Sequence, residues 1–388
     1  MAVTNKTSAL SALTLSALAI PSVSQAATVP EKKQLSVRVT NYQEDPLPSS
    51  RLALGSTERY GINVLQVNYF TPYKDQYSIA VSGQYETLSG ASPFESRVDN
   101  NGETNVLMSG ATIDEQRLDG SVVGTRYFKE GTLATGFAFS TENDYQSLAF
   151  SVDGSLEIFN KHTILLASMS TSFDELSPTD PSLGGNRAEA DGKSKRSFSI
   201  YEGVTQVIDK FTSIQAGIGY TRLKGYLTDP YKNDSRPDTR EQTTLDVSLR
   251  RYVTDIEAAL HLDYRYYEDD WGVLANTFTT SVWKEVGIGG LNFTLAPNLR
   301  YYYQHQADFY SVEVPTTEYY SSDFRLSAYG AFNLGIDVQL HHKEFTYTLG
   351  MSQYLSAEDW GLTGSKDSET PSLVNFTTIS FGVDYKFK

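Results

Sequence analysis

Charged side chains recur at alternate positions along several segments of this sequence, and their immediate neighbours are apolar or aromatic. A row of mixed charges on one face of a strand can select ions, or can form ion pairs that stiffen the protein. The two interpretations are not exclusive, and the sequence leaves both open. The residues that we expect on this charged face are Arg38, Asp246, Arg250, His261, Asp263, Arg265, Arg300, Asp323 and Arg325.

A second chemically suggestive group is the run Asp269, Asp270, Trp271 and Gly272. Paired carboxylates bind hard cations, but a calcium site needs about six oxygens, and adjacent strand residues point to opposite faces. A turn explains the same residues, because aspartate side chains bond to nearby backbone amides and glycine tolerates unusual dihedral angles. We therefore favour a structural corner over an ion site, and expect Trp271 in an aromatic belt at a membrane interface.

Other site chemistries are disfavoured. The sequence contains no cysteine, which excludes disulfides and thiolate zinc sites. His341 and His342 are adjacent and would point to opposite faces of a strand, so a shared metal ion is not expected. The segment 185–194 lacks the glycine spacing and the strand–loop–helix context of a phosphate-binding loop. We predict no catalytic residue, no metal site and no cofactor.

The charged positions lie on segments with the two-residue period of β-strands. Between His261 and Tyr267, polar residues alternate with Leu262, Tyr264 and Tyr266. The same alternation returns around Arg300, with tyrosines on the opposite face. An aromatic face that repeats on strand after strand, opposite a charged face, is typical of a β-barrel in lipid. We predict an all-β fold: a transmembrane, antiparallel, up-and-down β-barrel of about 16 strands, within a range of about 14 to 18.

The predicted strands are separated by short and long polar connections that tend to alternate. Most prolines fall in these connections, as expected because proline cannot donate a hydrogen bond to a β-ladder. Long loops of such barrels lie outside the cell and short turns face the periplasm. The predicted strands are 35–43, 59–70, 76–88, 112–128, 132–142, 145–159, 162–173, 195–209, 212–226, 239–254, 257–269, 272–284, 291–305, 320–341, 344–356 and 374–387.

The first 26 residues are predicted to be a cleaved signal peptide, which leaves residues 27–388 as one barrel domain. Lys6 begins a weakly basic region, residues 9–20 are apolar, and Ser24-Gln25-Ala26 provides a cleavage site with small residues. After this segment, no apolar run of about 18 residues occurs that could form a membrane-spanning helix. The formal net charge of −15 argues against a nucleic-acid partner.

The last predicted strand ends in alternating apolar residues, among them Val383, Tyr385 and Phe387. This ending resembles the C-terminal signal that the outer-membrane barrel assembly machinery recognises. The chain departs from that signal by ending in Lys388 rather than in the aromatic residue itself. We therefore expect the assembly machinery and outer-membrane lipid as partners.

Several motifs together resemble a family of Gram-negative outer-membrane proteins that is known only as a domain of unknown function. The resemblance implies an outer-membrane barrel and brings no established activity or catalytic residue. Such proteins are often encoded near periplasmic flavin-transfer and thioredoxin-like proteins, which suggests a redox context. The matching motifs are YRYYEDDWG at 264–272, RYY at 300–302, ADFY at 307–310, LKGYLTDPY at 223–231, RPD at 236–238 and LRRY at 249–252.

From these observations we expect a passive channel or transport component for small solutes in the bacterial outer membrane. The alternative is a non-conducting barrel with a structural or partner-docking role, associated with a periplasmic redox system. A membrane hydrolase ranks third, because serine is too common here for any pairing with histidine to carry meaning.

The signal-peptide interpretation predicts a mature N-terminus within a few residues of Ala27. N-terminal sequencing of the protein from isolated outer membranes should find this start. Retention of Met1 in membrane-inserted protein would contradict the prediction.

Overall fold

The computed structural model describes residues 28–109, 113–180, 182, 184–313, 317–362 and 370–387. In this part of the chain, sixteen strands close into one antiparallel barrel, and three short strands form a separate small sheet. The predicted signal peptide lies outside the described residues. No helix in the described ranges is long and apolar enough to cross a membrane.

The barrel confirms the predicted fold class, and its strands match the predicted segments closely. A one-turn α-helix covers Arg187–Ala190, and 3₁₀ turns cover Ser49–Arg51, Lys74–Gln76, Phe324–Leu326 and Glu358–Trp360. The strands are β1 Gln34–Glu44, β2 Leu52–Leu54, β3 Gly61–Tyr73, β4 Tyr77–Gly90, β5 Pro93–Val98, β6 Thr104–Met108, β7 Ile113–Phe128, β8 Gly131–Thr141, β9 Tyr145–Ile158, β10 Thr163–Leu176, β11 Ser194–Asp209, β12 Thr212–Gly225, β13 Thr239–Val253, β14 Ala258–Asp269, β15 Leu274–Ile288, β16 Leu291–Gln304, β17 Tyr329–His342, β18 Phe345–Ala357 and β19 Phe376–Lys386.

The first and last strands close the sheet. β1 pairs along its length with β19, with Val39 opposite Phe381, and on its other side with β3, with Val39 opposite Leu65. Each remaining barrel strand pairs with the barrel strands that come before and after it in the chain. The short strands β2, β5 and β6 lie outside the barrel. Closure leaves no unpaired strand edge, which is the condition for placing a sheet in a medium that cannot hydrogen-bond to it.

Side chains alternate between an apolar outer face and a polar inner face. On β7, Leu118 and Val122 are 48% and 47% exposed on the outside, whereas Arg117 points inward and is buried. An apolar outer face on strand after strand is the pattern of transmembrane barrels. Exposed apolar side chains of this face include Val39, Val81, Leu133, Phe150, Met169, Ile200, Ile218, Leu245, Leu262, Phe278, Leu334, Leu349 and Phe381.

Aromatic side chains are concentrated near both ends of the outer face. Phe128, Phe159 and Tyr252 are exposed near one end, and Phe173 and Phe198 near the other. Aromatic girdles at two levels are characteristic of transmembrane barrels, because these rings favour the boundary between lipid and water.

The connections differ between the two ends of the barrel. At one end, which we call the turn end, the strands are joined by two to four residues, as at 129–130 and 254–257. At the other, which we call the loop end, most connections are long: 45–60, 91–112, 177–193, 226–238, 305–328 and 358–375. Two tight exceptions, 142–144 and 270–273, lie among them. The predicted alternation of short and long connections is confirmed.

Three details differ from the sequence-based expectations. The strand predicted at 320–341 begins only at Tyr329, because residues 324–326 form a 3₁₀ turn that the Asp323 side chain caps. Pro72, expected in a connection, lies in β3 close to its end. The small sheet was not predicted: β6 pairs with β5 and β2, so loops 45–60 and 91–112 fold against each other.

The two faces predict opposite effects of charge. Leu262→Arg places a charge in lipid and should cost about 2–4 kcal/mol in folding free energy if it lies near the membrane midplane. Ser248→Lys places a charge inside, beside Asp263, which accepts a hydrogen bond from Ser248 at 2.6 Å. It should be tolerated. Unfolding titrations in lipid vesicles measure both, and equal destabilisation would mean that the faces are reversed.

Candidate functional site: the lumen wall and the loop assembly

Four of the predicted charged residues meet on the inner wall as two cross-strand ion pairs. Arg250 Nη2 lies 2.7 Å from Asp263 Oδ1, and Arg265 pairs with Asp246 on the facing strand. Both side chains of the first pair are 36% exposed, and that of Arg265 is 46% exposed. Three of these four side chains are therefore accessible to solvent, whereas Asp246 is 19% exposed, so side chains do not fill the barrel at this level.

The inner wall is lined mainly by small polar residues, which explains the open space. Ser121, Ser151 and Ser199 face inward on three different strands, and each is followed by an outward-facing apolar residue. The ring and hydroxyl of Tyr201 occupy the space that a Cβ at Gly217 would need. A 16-strand barrel with such a wall is wide enough to hold water.

The other predicted residues of the charged face divide between the wall and the loops. His261 lies inside, opposite Arg250 in the register, and packs against Trp283 with ring centroids 5.8 Å apart. Arg300 lies on β16, between Thr279 and Asn333 of the neighbouring strands. Asp323 and Arg325 do not line the strand wall as predicted.

Arg325 instead belongs to a buried charge network in the loops. Its guanidinium binds Asp323 and, at 3.0 Å, Asp229, while Arg236 binds Asp234 and, at 2.9 Å, Asp323. Alternation alone suggested a strand here, but the 3₁₀ turn at 324–326 and these partners hold Arg325 in the connection 305–328. With Lys232, which is also buried, the network contains three acids and three bases.

The network balances its own charge, and the pKa values follow from that balance. Burial alone would raise the pKa of Asp323, but the cationic groups of Arg325 and Lys232 hold it well below its ordinary value. The same carboxylate raises the pKa of Arg325 despite its burial. Burial raises the pKa of Asp234 and lowers that of Lys232, while neighbouring opposite charges oppose both shifts. Removing one charged member leaves an uncompensated charge in a buried setting.

The network joins loops from distant parts of the barrel rim. Lys232 of loop 226–238 donates to the carbonyl oxygen of Pro93 in loop 91–112. Loop 91–112 also reaches loop 305–328, where the Val98 amide donates to Val312 at 3.1 Å. Loops so far apart on the rim can meet only across the end of the barrel. We call the described parts of 45–60, 91–112, 142–144, 177–193, 226–238, 305–328 and 358–375 the loop assembly.

The predicted corner at Asp269–Gly272 packs against the loop assembly. Asp269 accepts hydrogen bonds from Arg240 at 2.8 Å and from the amides of Trp271 and Val273 at 3.0 Å. Its oxygens are thus used by protein groups, as a structural corner requires, and Gly272 has φ +86°.

Trp271 does not lie in an interfacial belt as predicted. It is 3% exposed and packs with Leu227, Tyr310 and Leu326, while its indole nitrogen donates to the Thr239 carbonyl oxygen at 2.8 Å. The corner folds inward instead of outward, because apolar side chains of the loops cover the indole ring.

An acidic cluster that was not predicted from the sequence lies where the loop assembly meets β7 and β8. Glu115, Glu142 and Asp144 lie within 4.8 Å of one another, measured between one carboxylate oxygen of each. Burial raises the pKa of Glu142 to about 8; Asp144, Glu115 and Glu86 contribute to this rise, and Arg117 opposes it. The signal available in the sequence was the Glu-Asn-Asp triplet between two predicted strands.

Solved structures of outer-membrane β-barrels are similar to this fold. A bacterial polysaccharide outer membrane secretin is similar over 92% of this chain and 98% of its own, with a TM-score of 0.51 and 10% identity. CdiB from Acinetobacter baumannii gives the same TM-score and identity over 92% of this chain, which spans only 60% of CdiB. These similarities show the fold alone, which is that of outer-membrane β-barrels.

The chain belongs to the family described as protein of unknown function (DUF3570), whose family model matches residues 10–369. This match confirms the resemblance to an uncharacterised family. No curated protein matches the sequence.

The buried network predicts that Arg236→Ala opens the loop assembly. Breaking a buried ion pair costs about 3–5 kcal/mol, so limited proteolysis of the loops should accelerate at least about 100-fold. Arg222→Ala is the matched control, because Arg222 pairs with Glu241 at 3.4 Å with both side chains about half exposed. That exposed pair should contribute less than about 1 kcal/mol. Equal cleavage rates for the two variants would contradict the network's role.

Proposed function

We propose that this protein is an outer-membrane barrel that conducts small polar solutes passively, with the loop assembly controlling entry at its loop end. The observation that carries the proposal is the solvated state of the inward ion pairs, Arg250 with Asp263 and Arg265 with Asp246. Side chains that fill a barrel are buried, whereas these are accessible to water. The proposal assigns the protein no catalytic reaction.

The orientation follows from the asymmetry of the connections. Long loops of bacterial barrels face the exterior, so the loop assembly would lie outside the cell and the turn end in the periplasm. Outer-membrane lipid would cover the apolar outer face. Val383 and Tyr385, near the end of β19, would present the signal for the barrel assembly machinery.

Mixed charges inside a pore act on the solutes that pass. Arg265 and Asp246 form one level of the wall, and Arg250 and Asp263 form another. Rings of charge at close quarters govern which ions enter. The lumen would therefore discriminate among charged solutes by sign.

A second candidate is a barrel that does not conduct and whose loops dock a partner protein. The observation that favours it is the loop assembly, whose members contact each other across one end through buried charges. Conductance distinguishes the two candidates. Arg236→Ala should conduct more than the unmodified protein in a planar bilayer if the loops control a pore. Absence of conductance in both proteins would leave the docking barrel.

For a conducting barrel we predict that Arg265→Glu shifts ion selectivity toward cations. Arg265 is 46% exposed, so loss of its pair with Asp246 should cost no more than about 1 kcal/mol in stability. The reversal potential under a salt gradient measures selectivity, and heat-modifiable gel mobility checks folding. Arg222→Glu, on the outside near the rim, is the matched control. A folded Arg265→Glu variant with unchanged selectivity would contradict the assignment of this residue to the pore.

A further inference from the structure

The tight connection between β8 and β9 concentrates carboxylates at the loop end. Its three residues are Glu142, Asn143 and Asp144, so two acidic side chains lie two positions apart. Glu115 on β7 completes a triad, and one carboxylate oxygen from each lies within 4.8 Å of the others. Two oxygens bound to one Ca²⁺ at about 2.3–2.6 Å can be separated by no more than about 5 Å, which this spacing satisfies.

Two of these side chains have oxygens that other protein groups leave unused. Glu142 is 8% exposed and Asp144 is 7% exposed. Within the described part of the chain, Glu142 Oε2 and Asp144 Oδ1 accept no hydrogen bond. Buried carboxylate oxygens ordinarily have a hydrogen-bonding or cationic partner. This pair therefore points to a ligand of positive charge.

The ion pair that Arg117 forms with Glu142 is long, and Arg117 also has other partners. Arg117 donates from Nε to Asp119 at 2.9 Å and to Ser140 at 3.0 Å, and its distance to Glu142 Oε1 is 3.6 Å. Lys195 lies over the ring of Tyr145, with Nζ 5.0 Å from its centroid.

Carboxyl groups are therefore in excess over cationic groups at this place. Glu86 lies opposite Arg117 in the register and is itself 1% exposed. In the loop network acids and bases are equal in number, whereas here carboxylates outnumber cationic groups. A bound divalent cation would restore the balance.

We propose that Glu115, Glu142 and Asp144 bind one divalent cation of the size of Ca²⁺. Carboxylate oxygens are the ligands that Ca²⁺ prefers, and it accepts the irregular geometry that three side chains from two segments provide. Mg²⁺ binds oxygen at about 2.0–2.1 Å and demands near-ideal octahedral geometry, so it should bind more weakly.

The cation would also strengthen the loop assembly. Asp144 accepts a hydrogen bond from the Tyr231 hydroxyl, and its carbonyl oxygen accepts one from the Ser177 amide at 2.8 Å. Tyr231 lies in loop 226–238, next to Asp229 and Lys232 of the charge network. An ion that fixes Asp144 thus fixes a contact point of two loops.

Titration calorimetry of the refolded, chelator-treated barrel with CaCl₂ tests the proposal. We expect one saturable site, with weaker binding of MgCl₂. Glu142→Gln and Asp144→Asn keep the side-chain shape and should each weaken Ca²⁺ binding at least about tenfold, because affinity follows the number of charged ligands. Asp75→Asn, at an exposed position of the turn end, should leave binding unchanged. Folding of each variant is checked by gel mobility before titration.

A second readout uses the loops. Ca²⁺ should slow proteolysis of the loop assembly in the unmodified protein and have no effect in Glu142→Gln. Absence of a saturable site in the unmodified protein would overturn the proposal, and so would equal affinity of the folded Glu142→Gln variant. Neither readout involves conductance, so failure here is distinct from failure of the channel proposal.

Discussion

Closure of the sheet by β1 and β19 is the constraint on which the remaining structure depends. Their continuous pairing, from Gln34 opposite Lys386 to Glu44 opposite Phe376, removes the last strand edges. Once all barrel backbone groups are paired within the sheet, the outer face can be fully apolar and the inner face fully polar. Sixteen strands with serines on the inner wall enclose more space than these side chains fill, and Asp246, Arg250, Asp263 and Arg265 extend into that space as solvated pairs.

At the loop end, charged side chains are buried rather than solvated. There, Arg236 and Asp323 have fully buried side chains, and each charge is neutralised by neighbours from another part of the loops. Burying a charge is unfavourable unless it is paired and hydrogen-bonded, so such a network is stable only when all its members are present. Because the members come from loops 226–238 and 305–328, they fix these loops relative to each other. Solvated pairs in the lumen and buried pairs in the loops thus perform different tasks with the same residue types.

Most of the fold was predictable from the sequence, because a period of two residues fixes both the strand and its faces. β14 was predicted at 257–269 and observed at Ala258–Asp269. Three of the failures share one cause, namely contacts between residues distant in sequence. Arg325 alternates as a strand residue would, yet Asp229 holds it in a loop. Trp271 looked interfacial, but the side chains that cover it lie in loops 226–238 and 305–328. The acidic triad joins β7 to a turn after β8, and the spacing of Glu115 and Glu142 in sequence gives no sign of that proximity.

The central claim, a hydrated lumen closed by the loops, is tested most directly by labelling single cysteines in this cysteine-free chain. Ser121 faces inward on β7, and its neighbour Val122 is 47% exposed on the outer face. In proteoliposomes, a membrane-impermeant maleimide should modify Ser121→Cys quickly from the turn end and slowly from the loop end. Adding Arg236→Ala should remove that difference. Val122→Cys, which lipid should shield, should not be labelled from either end. Protection of Ser121→Cys from both ends, or equal reactivity from both ends in the presence of Arg236, would contradict the account.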